Sequence, residues 1–294
     1  MIPVDLSGKT ALVTGVGDNE SFAWFIAKAL NAAGAKILLA CHPRMLGIVE
    51  SFLSRDQDAE SRILPFGRGE LKVEKILPMD ARFDTMADVD AETRADKRLN
   101  KHGDFSIEHC INTFGKEFGH IDILIHSIAF SREITKLMLQ TSRSAYFEAL
   151  GISAYSLTSM LRYAEPFMTV QPGASALALT YLGGERVVPY YGGGMSTAKA
   201  ALQIDAKQLA HNLGSKGIRV NLISAGPYAS RAARSIRPGE FEKSIEYAAM
   251  RSPLPRGIKP EEVANATVFL CSDLASAISG HTLYVDCGYH TMAV

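Results

Sequence analysis

The densest group of side chains able to hold charge or move protons lies between Leu177 and Ala201, in the run LALTYLGGERVVPYYGGGMSTAKA. An apolar stretch ends at Thr180, and Tyr181, Tyr190, Tyr191 and Lys199 follow it. A phenol can donate to an oxyanion developing on a carbonyl, while a nearby ammonium favours negative charge and can orient a ribose. The same residues are also compatible with tyrosines packed at a sheet edge beside a solvent-exposed lysine. Gly194-Met195-Ser196-Thr197-Ala198 has the outline of a nucleophile elbow, but alanine replaces the second glycine. No Asp and His stand out to activate Ser196, which argues against a serine hydrolase.

A second group is the turn Gly15-Val16-Gly17-Asp18-Asn19-Glu20-Ser21-Phe22-Ala23, between an apolar run and a helical one. Glycine permits a tight turn there, and the following helix N-terminus offers backbone N–H groups to a pyrophosphate. The third glycine of G-x-G-x-x-G is missing, so by itself the turn fits nucleotide binding and an ordinary connection equally well. The next apolar run ends in Ala40-Cys41-His42-Pro43-Arg44, with no acid before Glu50 to take a ribose hydroxyl. His42 could serve as a neutral ribose partner, and Arg44 keeps a 2′-phosphate, hence NADPH, open. Both are also compatible with a loop histidine and a solvated arginine.

The elements that would position these groups alternate. Strand-like runs span Lys9 to Thr14, Lys36 to Ala40, Val73 to Met79, Ile121 to His126, Ala174 to Thr180, Arg219 to Ile223 and Leu283 to Asp286. The third delivers Asp80 to its carboxyl end, where open parallel sheets place ligands. Helical stretches run from Ser21 to Ala33, stopped by Gly34, from Ser144 to Phe167, and from Met195 to Ser215, where Ala198, Leu202, Ala206, Leu209 and Leu213 recur at one-turn spacing. Continuous apolar strands alternating with helices predict an α/β fold. It is a single doubly wound Rossmann-type domain over 1–294, with a parallel sheet of about seven strands and helices on both faces. The stretch from Arg82 to Asp104 interrupts the alternation with eleven charged residues close together and few apolar ones, and reads as a solvated surface excursion.

Composition narrows the partners. Of 294 residues 47% are hydrophobic, enough for a sizeable core, which excludes a disordered chain. Lysine plus arginine equals aspartate plus glutamate at 31 each, so there is no global attraction to nucleic acid or an anionic membrane. Cys41, Cys110, Cys271 and Cys287 lie far apart without a C-x-x-C pair, which predicts reduced thiols and no structural metal site. No apolar run approaches the roughly 18 residues of a membrane span, and the N-terminus does not read as a signal peptide. A cytosol-like compartment is expected.

The motifs TGVGDNESFAW, IDILIHSIAF, LTYLGGERVVPYYGGGMSTAKAAL, RVNLISAGP and ISGHTLYVDCG occur in that order from Leu6 to about Gly288. Through them the chain resembles the enoyl-acyl-carrier-protein reductases of type II fatty-acid synthesis, a divergent branch of the short-chain dehydrogenase/reductases. The glycine triplet and the charged insertion resemble the plastid, apicomplexan and chlamydial subtype. The ordinary short-chain enzyme has Tyr-x-x-x-Lys; here Tyr191 and Lys199 are eight apart, as in the plant-like enoyl reductases. Gly192, Gly193 and Gly194 are expected to form a loop that feeds the helix and lets Tyr191 and Lys199 converge.

The resemblance implies roles. Tyr191 would hydrogen-bond the thioester carbonyl as it becomes an enolate, Lys199 would hold the nicotinamide ribose, and Tyr181 would line the substrate pocket. Gly15, Ser21 and Phe22 would meet the pyrophosphate, His42, Asp80 and Ala81 the adenosine, and Ser127, Ile128 and Ala129 the nicotinamide side. Pro227, Tyr228 and Ser230 would close over the cofactor. Phe130, Ser131, Met195, Ala232 and Ile236 would line the acyl site, the last two on a lid at about 228–245. Ala129 stands where many relatives have glycine, and His42 where glutamine or tryptophan is common. The implied cofactor is NADH in preference to NADPH, and the implied partner is acyl carrier protein, docked on a local basic patch of Arg231, Arg234 and Arg237. A homotetramer in a bacterial cytosol, or a mature plastid form, is also implied. A non-catalytic dinucleotide sensor is disfavoured because the tyrosines and the lysine are retained, and a 3-oxoacyl reductase by the long Tyr-to-Lys spacing and Tyr181.

Overall fold

β1 (Thr10–Thr14) is buried along its whole length and lies inside a seven-stranded parallel sheet, third from one edge. The computed structural model describes residues 4–168, 173–236, 239 and 241–293; in addition, the side chains of 232, 235, 236 and 241 fall outside the description. The other strands are β2 (Lys36–Cys41), β3 (Val73–Pro78), β4 (Ile123–His126), β5 (Ser175–Thr180), β6 (Arg219–Ala225) and β7 (Thr282–Val285). Their order is β3-β2-β1-β4-β5-β6-β7. The chain therefore builds outward from β1 to β3 and then returns to the other side of β1. This reversal opens a crevice at the carboxyl ends of β1 and β4, the position where doubly wound sheets bind dinucleotides.

The longer helices are α1 (Phe22–Ala32), α2 (Leu46–Ser54), α3 (Ile107–Phe118), α4 (Arg143–Leu150), α5 (Ser156–Ala164), α6 (Met195–Gly214), α7 (Arg231–Ile236), α8 (Phe241–Arg251) and α9 (Pro260–Cys271). Successive strand residues point to opposite faces, so the buried runs feed two cores. Ala11, Val13, Ile37, Leu39, Ile123 and Ile125 pack with Trp24, Ile26 and Leu30 of α1 and Val263 and Leu270 of α9. Leu12, Leu38, Leu124, Ala176, Ala178 and Leu222 pack with Ile111 and Phe114 of α3, Leu157 and Met160 of α5, and Leu202 and Ala206 of α6. The four cysteines are unbridged, three of them buried.

Two segments differ from the sequence expectation. The Arg82 to Asp104 stretch is not merely solvated: Phe83, Val89, Leu99 and Phe105 form a small core of their own. Its acids serve as helix caps, Asp90 accepting from the Thr93 N–H and Asp96 from the Arg98 N–H. The long helix expected from Ser144 is interrupted at Gly151–Tyr155 by a π-helical turn between α4 and α5. π-turns recur at functional sites, and this one presents Ser153 to the Phe130 backbone, whose N–H it accepts at 2.9 Å.

Candidate active site

Tyr181 leaves the end of β5, and the turn Leu182–Gly184 follows it. The rings of Tyr181 and Tyr191 meet edge to face with centroids 5.0 Å apart. A Cβ on Gly183 would lie 2.6 Å from Tyr191 Cδ1 and 3.2 Å from Tyr181 Cδ1, so only glycine lets the turn pass beneath both rings. A Cβ on Gly184 would come within 3.1 Å of Lys199 Cβ. One short turn thus presses on all three residues singled out from the sequence.

The glycine triplet does make the entry to α6, and its steric reason is a neighbouring loop. A Cβ on Gly192 would sit 2.0 Å from the Lys136 carbonyl oxygen, and one on Gly193 2.3 Å from that of Glu133. Gly193 and Gly194 also have φ of 57° and 82°, the left-handed region that favours glycine. Ser131 is buried and its hydroxyl donates to the Gly193 carbonyl at 2.7 Å. Ser196 Oγ donates to the Tyr191 carbonyl at 2.7 Å, so it holds the tyrosine segment instead of acting as a nucleophile. Met195 is buried at the first turn of α6.

Lys199 is 4% exposed, and its Nζ donates to the Leu179 carbonyl at 2.7 Å, not to the Tyr191 phenol. Burial pushes its pKa down to about 8. Burial drives the Tyr191 phenol far above its usual range, with Tyr181 adding to the effect. It also raises Tyr181, with Tyr289 and Asp286 of the C-terminal turn contributing. Both phenols are therefore neutral donors. Sequence reading had not singled out His126, which is fully buried at the end of β4. Ser156 Oγ donates to the Ile152 carbonyl at 2.6 Å and lies 2.7 Å from His126 Nε2, so it accepts from that ring nitrogen. Burial, then the Lys199 charge, push the His126 pKa down to about 3, keeping the imidazole neutral.

Gly15 and Ser127 flank the crevice between β1 and β4. Gly15 has φ 81°, and a Cβ there would lie 2.0 Å from the Ser127 carbonyl oxygen. Ser21 caps α1, accepting from the Trp24 N–H, and with Phe22 stands at the helix start, where free N–H groups suit a pyrophosphate. Tyr228 packs on Phe22 with ring centroids 5.1 Å apart, bringing the segment after β6 over that helix start. Pro227 precedes it, half-buried, and Ser230 Oγ accepts from the Ala233 N–H at 3.2 Å. Asp80 is buried at the end of β3, bound by the Arg82 guanidinium at 2.7 Å, with His42 Nε2 at 3.4 Å. Burial would raise its pKa, but the His42 and Arg82 contacts outweigh that and hold it far below the carboxylate range. Ala81 and Ile128 are half-buried against the α3–α5–α6 core, while Ala129 and Phe130 are exposed. These residues fit an extended dinucleotide: a sterically required glycine, a helix N-terminus and polar groups ending β2 and β3 lie along one crevice.

The helix read as a lid is tied to the same turn. Arg234 pairs with Glu20 and also donates to the Ala229 carbonyl, while Arg231 Nε lies 3.7 Å from Asp18 Oδ2. Neither arginine is thus a simple unpaired surface charge. Arg237 lies outside the described residues, as do the side chains of Ala232 and Ile236. A separate cleft of about 380 Å³ beside β7 is lined by Leu254, Arg256, Tyr284 and Cys287 among others, and by none of Tyr181, Tyr191 and Lys199.

Residues 81–290 match the family model described as enoyl-(acyl carrier protein) reductase. Over all 294 residues the chain is 46% identical to a chloroplastic enoyl-[acyl-carrier-protein] reductase [NADH] of Oryza sativa, spanning 77% of that protein. It is 37% identical to the NADH-dependent enoyl reductase FabI of Nostoc sp., covering 99% of this chain and all of that one. The crystal structure of the Plasmodium berghei enoyl-acyl-carrier-protein reductase with triclosan superposes with a TM-score of 0.92 at 37% identity, over 97% of this chain and 99% of that one.

Proposed function

The chain belongs to the enoyl-(acyl carrier protein) reductase family, and from that premise we propose how its own residues divide the work. The reaction is the NADH-dependent reduction of a trans-2-enoyl-acyl carrier protein to the saturated acyl form, the final reductive step of type II fatty-acid elongation. NADH, when bound, supplies the hydride to the β-carbon. Tyr191 is the donor to the thioester oxygen as negative charge develops on it, and its strongly raised pKa keeps the proton on the phenol until then. Tyr181 holds the Tyr191 ring and lines the substrate side. Lys199, freed from Leu179 by the ribose hydroxyls, orients the nicotinamide end. Gly15, Ser21 and Phe22 receive the pyrophosphate. His42, Asp80 and Ala81 receive the adenosine, and Ser127, Ile128 and Ala129 border the nicotinamide. Pro227, Tyr228 and Ser230 close over it.

The acyl chain is proposed to lie among Phe130, Ser131, Tyr181 and Met195, under a lid at about 228–245 that includes Ala232 and Ile236. The observation that carries this assignment is the Tyr181–Tyr191 pair packed edge to face over Gly183 beside a buried lysine. Changing Tyr191 to Phe tests it: turnover of a crotonyl thioester should fall about 100-fold or more, since one oxyanion donor is lost. NADH binding by fluorescence should be little altered. Undiminished reduction would remove Tyr191 from this role.

The acyl carrier protein brings the substrate, and we propose that it approaches the lid side of the crevice. A homotetramer is proposed from the family, consistent with exposed Phe147 on α4 and Ile204 on α6; analytical ultracentrifugation tests it. Among the described residues no helix is long and apolar enough to cross a membrane. A bacterial cytosol is the proposed compartment, with plastid stroma the alternative that the chloroplastic relatives favour.

A further inference from the structure

Arg44 lies just beyond β2, where doubly wound sheets meet the adenosine ribose and where an arginine accommodates the 2′-phosphate of NADPH. Unpartnered, it would favour the phosphorylated cofactor. Its guanidinium is instead engaged: Nη2 donates to Asp96 Oδ2 at 2.8 Å, across 52 residues of sequence. Asp96 is held for this contact, because its other oxygen accepts the Arg98 N–H at 2.8 Å as a helix cap. The Arg98 N–H first, and Arg44 second, lower the Asp96 pKa, so the carboxylate is charged at neutral pH.

The turn that carries Arg44 is also held from within. Behind it, His42 Nδ1 accepts the Arg44 N–H at 3.2 Å while Nε2 faces Asp80. Arg82, the other cation at this edge, is committed to Asp80 through three hydrogen bonds. The end of β2 is therefore furnished with an imidazole for ribose hydroxyls, and Arg44 and Arg82 are both committed to carboxylates, with Asp96 standing as a fixed negative charge beside it.

We infer that Asp96 selects NADH against NADPH in this enzyme, by occupying Arg44 and repelling a 2′-phosphate. The inference rests on the reductase reading and on the dinucleotide lying along the crevice, and it assigns a specificity role to the charged insertion. The surface position screens the repulsion, so the effect is moderate, not absolute.

The test compares wild type, Asp96→Asn and the double variant Asp96→Asn/Arg44→Gln by calorimetric titration with adenosine 2′,5′-bisphosphate and with AMP, which differ by the 2′-phosphate. Asparagine keeps the helix cap. Asp96→Asn should raise the bisphosphate-to-AMP affinity ratio about tenfold by removing one charge and releasing another. The double variant should lose that gain, and the NADPH-to-NADH ratio of kcat/KM should move in parallel. An unchanged affinity ratio in Asp96→Asn, or a gain that survives loss of Arg44, would overturn the inference. Failure of wild type to oxidise NADH with an enoyl thioester would instead overturn the reductase reading.

Discussion

The titration of Lys199 links the buried site to a measurable pH profile. Its ammonium is buried, with the Leu179 carbonyl at 2.7 Å, and burial holds its pKa near 8, while Tyr191 is driven the other way. An alkaline limb in activity must then belong to the lysine and not to the phenol. With a pKa of about 8, Lys199 is about nine-tenths protonated at pH 7 and about one-tenth at pH 9, so kcat/KM should fall roughly tenfold between them. Stability moves oppositely. In the unfolded chain the lysine titrates near 10.5 and in the folded one near 8, so between those values the unfolded state binds more protons and stability rises with pH. Below pH 8 the buried charge costs about 3 kcal/mol relative to an exposed lysine. Lys199→Met keeps the volume and removes the charge, but leaves the Leu179 carbonyl unsatisfied, which returns roughly 1–2 kcal/mol. A net stabilisation of about 1–2 kcal/mol at pH 7, together with loss of most turnover and of the limb, is the predicted outcome. Steady-state NADH oxidation from pH 6 to 10 and urea unfolding at pH 7 check it. A flat profile to pH 10, or a Lys199→Met variant less stable than wild type at pH 7, would show that Lys199 does not carry a destabilising buried charge that titrates near 8.

Gly193→Ala places a methyl 2.3 Å from the Glu133 carbonyl at a φ of 57°. It is predicted to destabilise by about 1–3 kcal/mol in thermal unfolding and to raise KM, because the loop under Tyr191 must move. Glu20→Gln removes the partner of Arg234. It should change stability by under about 1 kcal/mol, as a half-exposed pair does, while raising KM for enoyl thioesters through a looser lid. Reversing Arg231 and Arg234 to Glu should raise KM for carrier-linked and coenzyme A-linked substrates alike, since both arginines pin the lid to Asp18 and Glu20. A rise confined to the carrier-linked substrate would make them docking residues instead.

The sheet was legible because strands buried on both faces read as unbroken apolar runs: TALVT, KILLAC, ILIH and SALALT all appear as such. The turn at Gly15 and the stop at Gly34 were legible from residue type, and both adopt positive φ. The small core of Phe83, Val89, Leu99 and Phe105 was not, because its apolar residues are scattered among charges at no helical or strand period. The π-turn at Gly151–Tyr155 leaves no compositional mark. At the site, Tyr181, Tyr191 and Lys199 stood out as a cluster, but chemistry alone did not separate them from edge tyrosines; the resemblance did. The glycine triplet announced a loop, while its cause, the Glu133 and Lys136 carbonyls, lies some sixty residues earlier in the chain. His126 with Ser156 and Arg44 with Asp96 are pairs 30 and 52 residues apart, contacts that only the fold creates.

The decisive measurement mixes the protein with NADH and a trans-2-enoyl-acyl carrier protein, following absorbance at the nicotinamide band and the acyl product by mass spectrometry. One NADH should be consumed per saturated acyl chain formed, with the Tyr191→Phe variant about 100-fold slower or more. NADH left unoxidised by the enoyl substrate, or oxidised only by a 3-oxoacyl thioester, would contradict it.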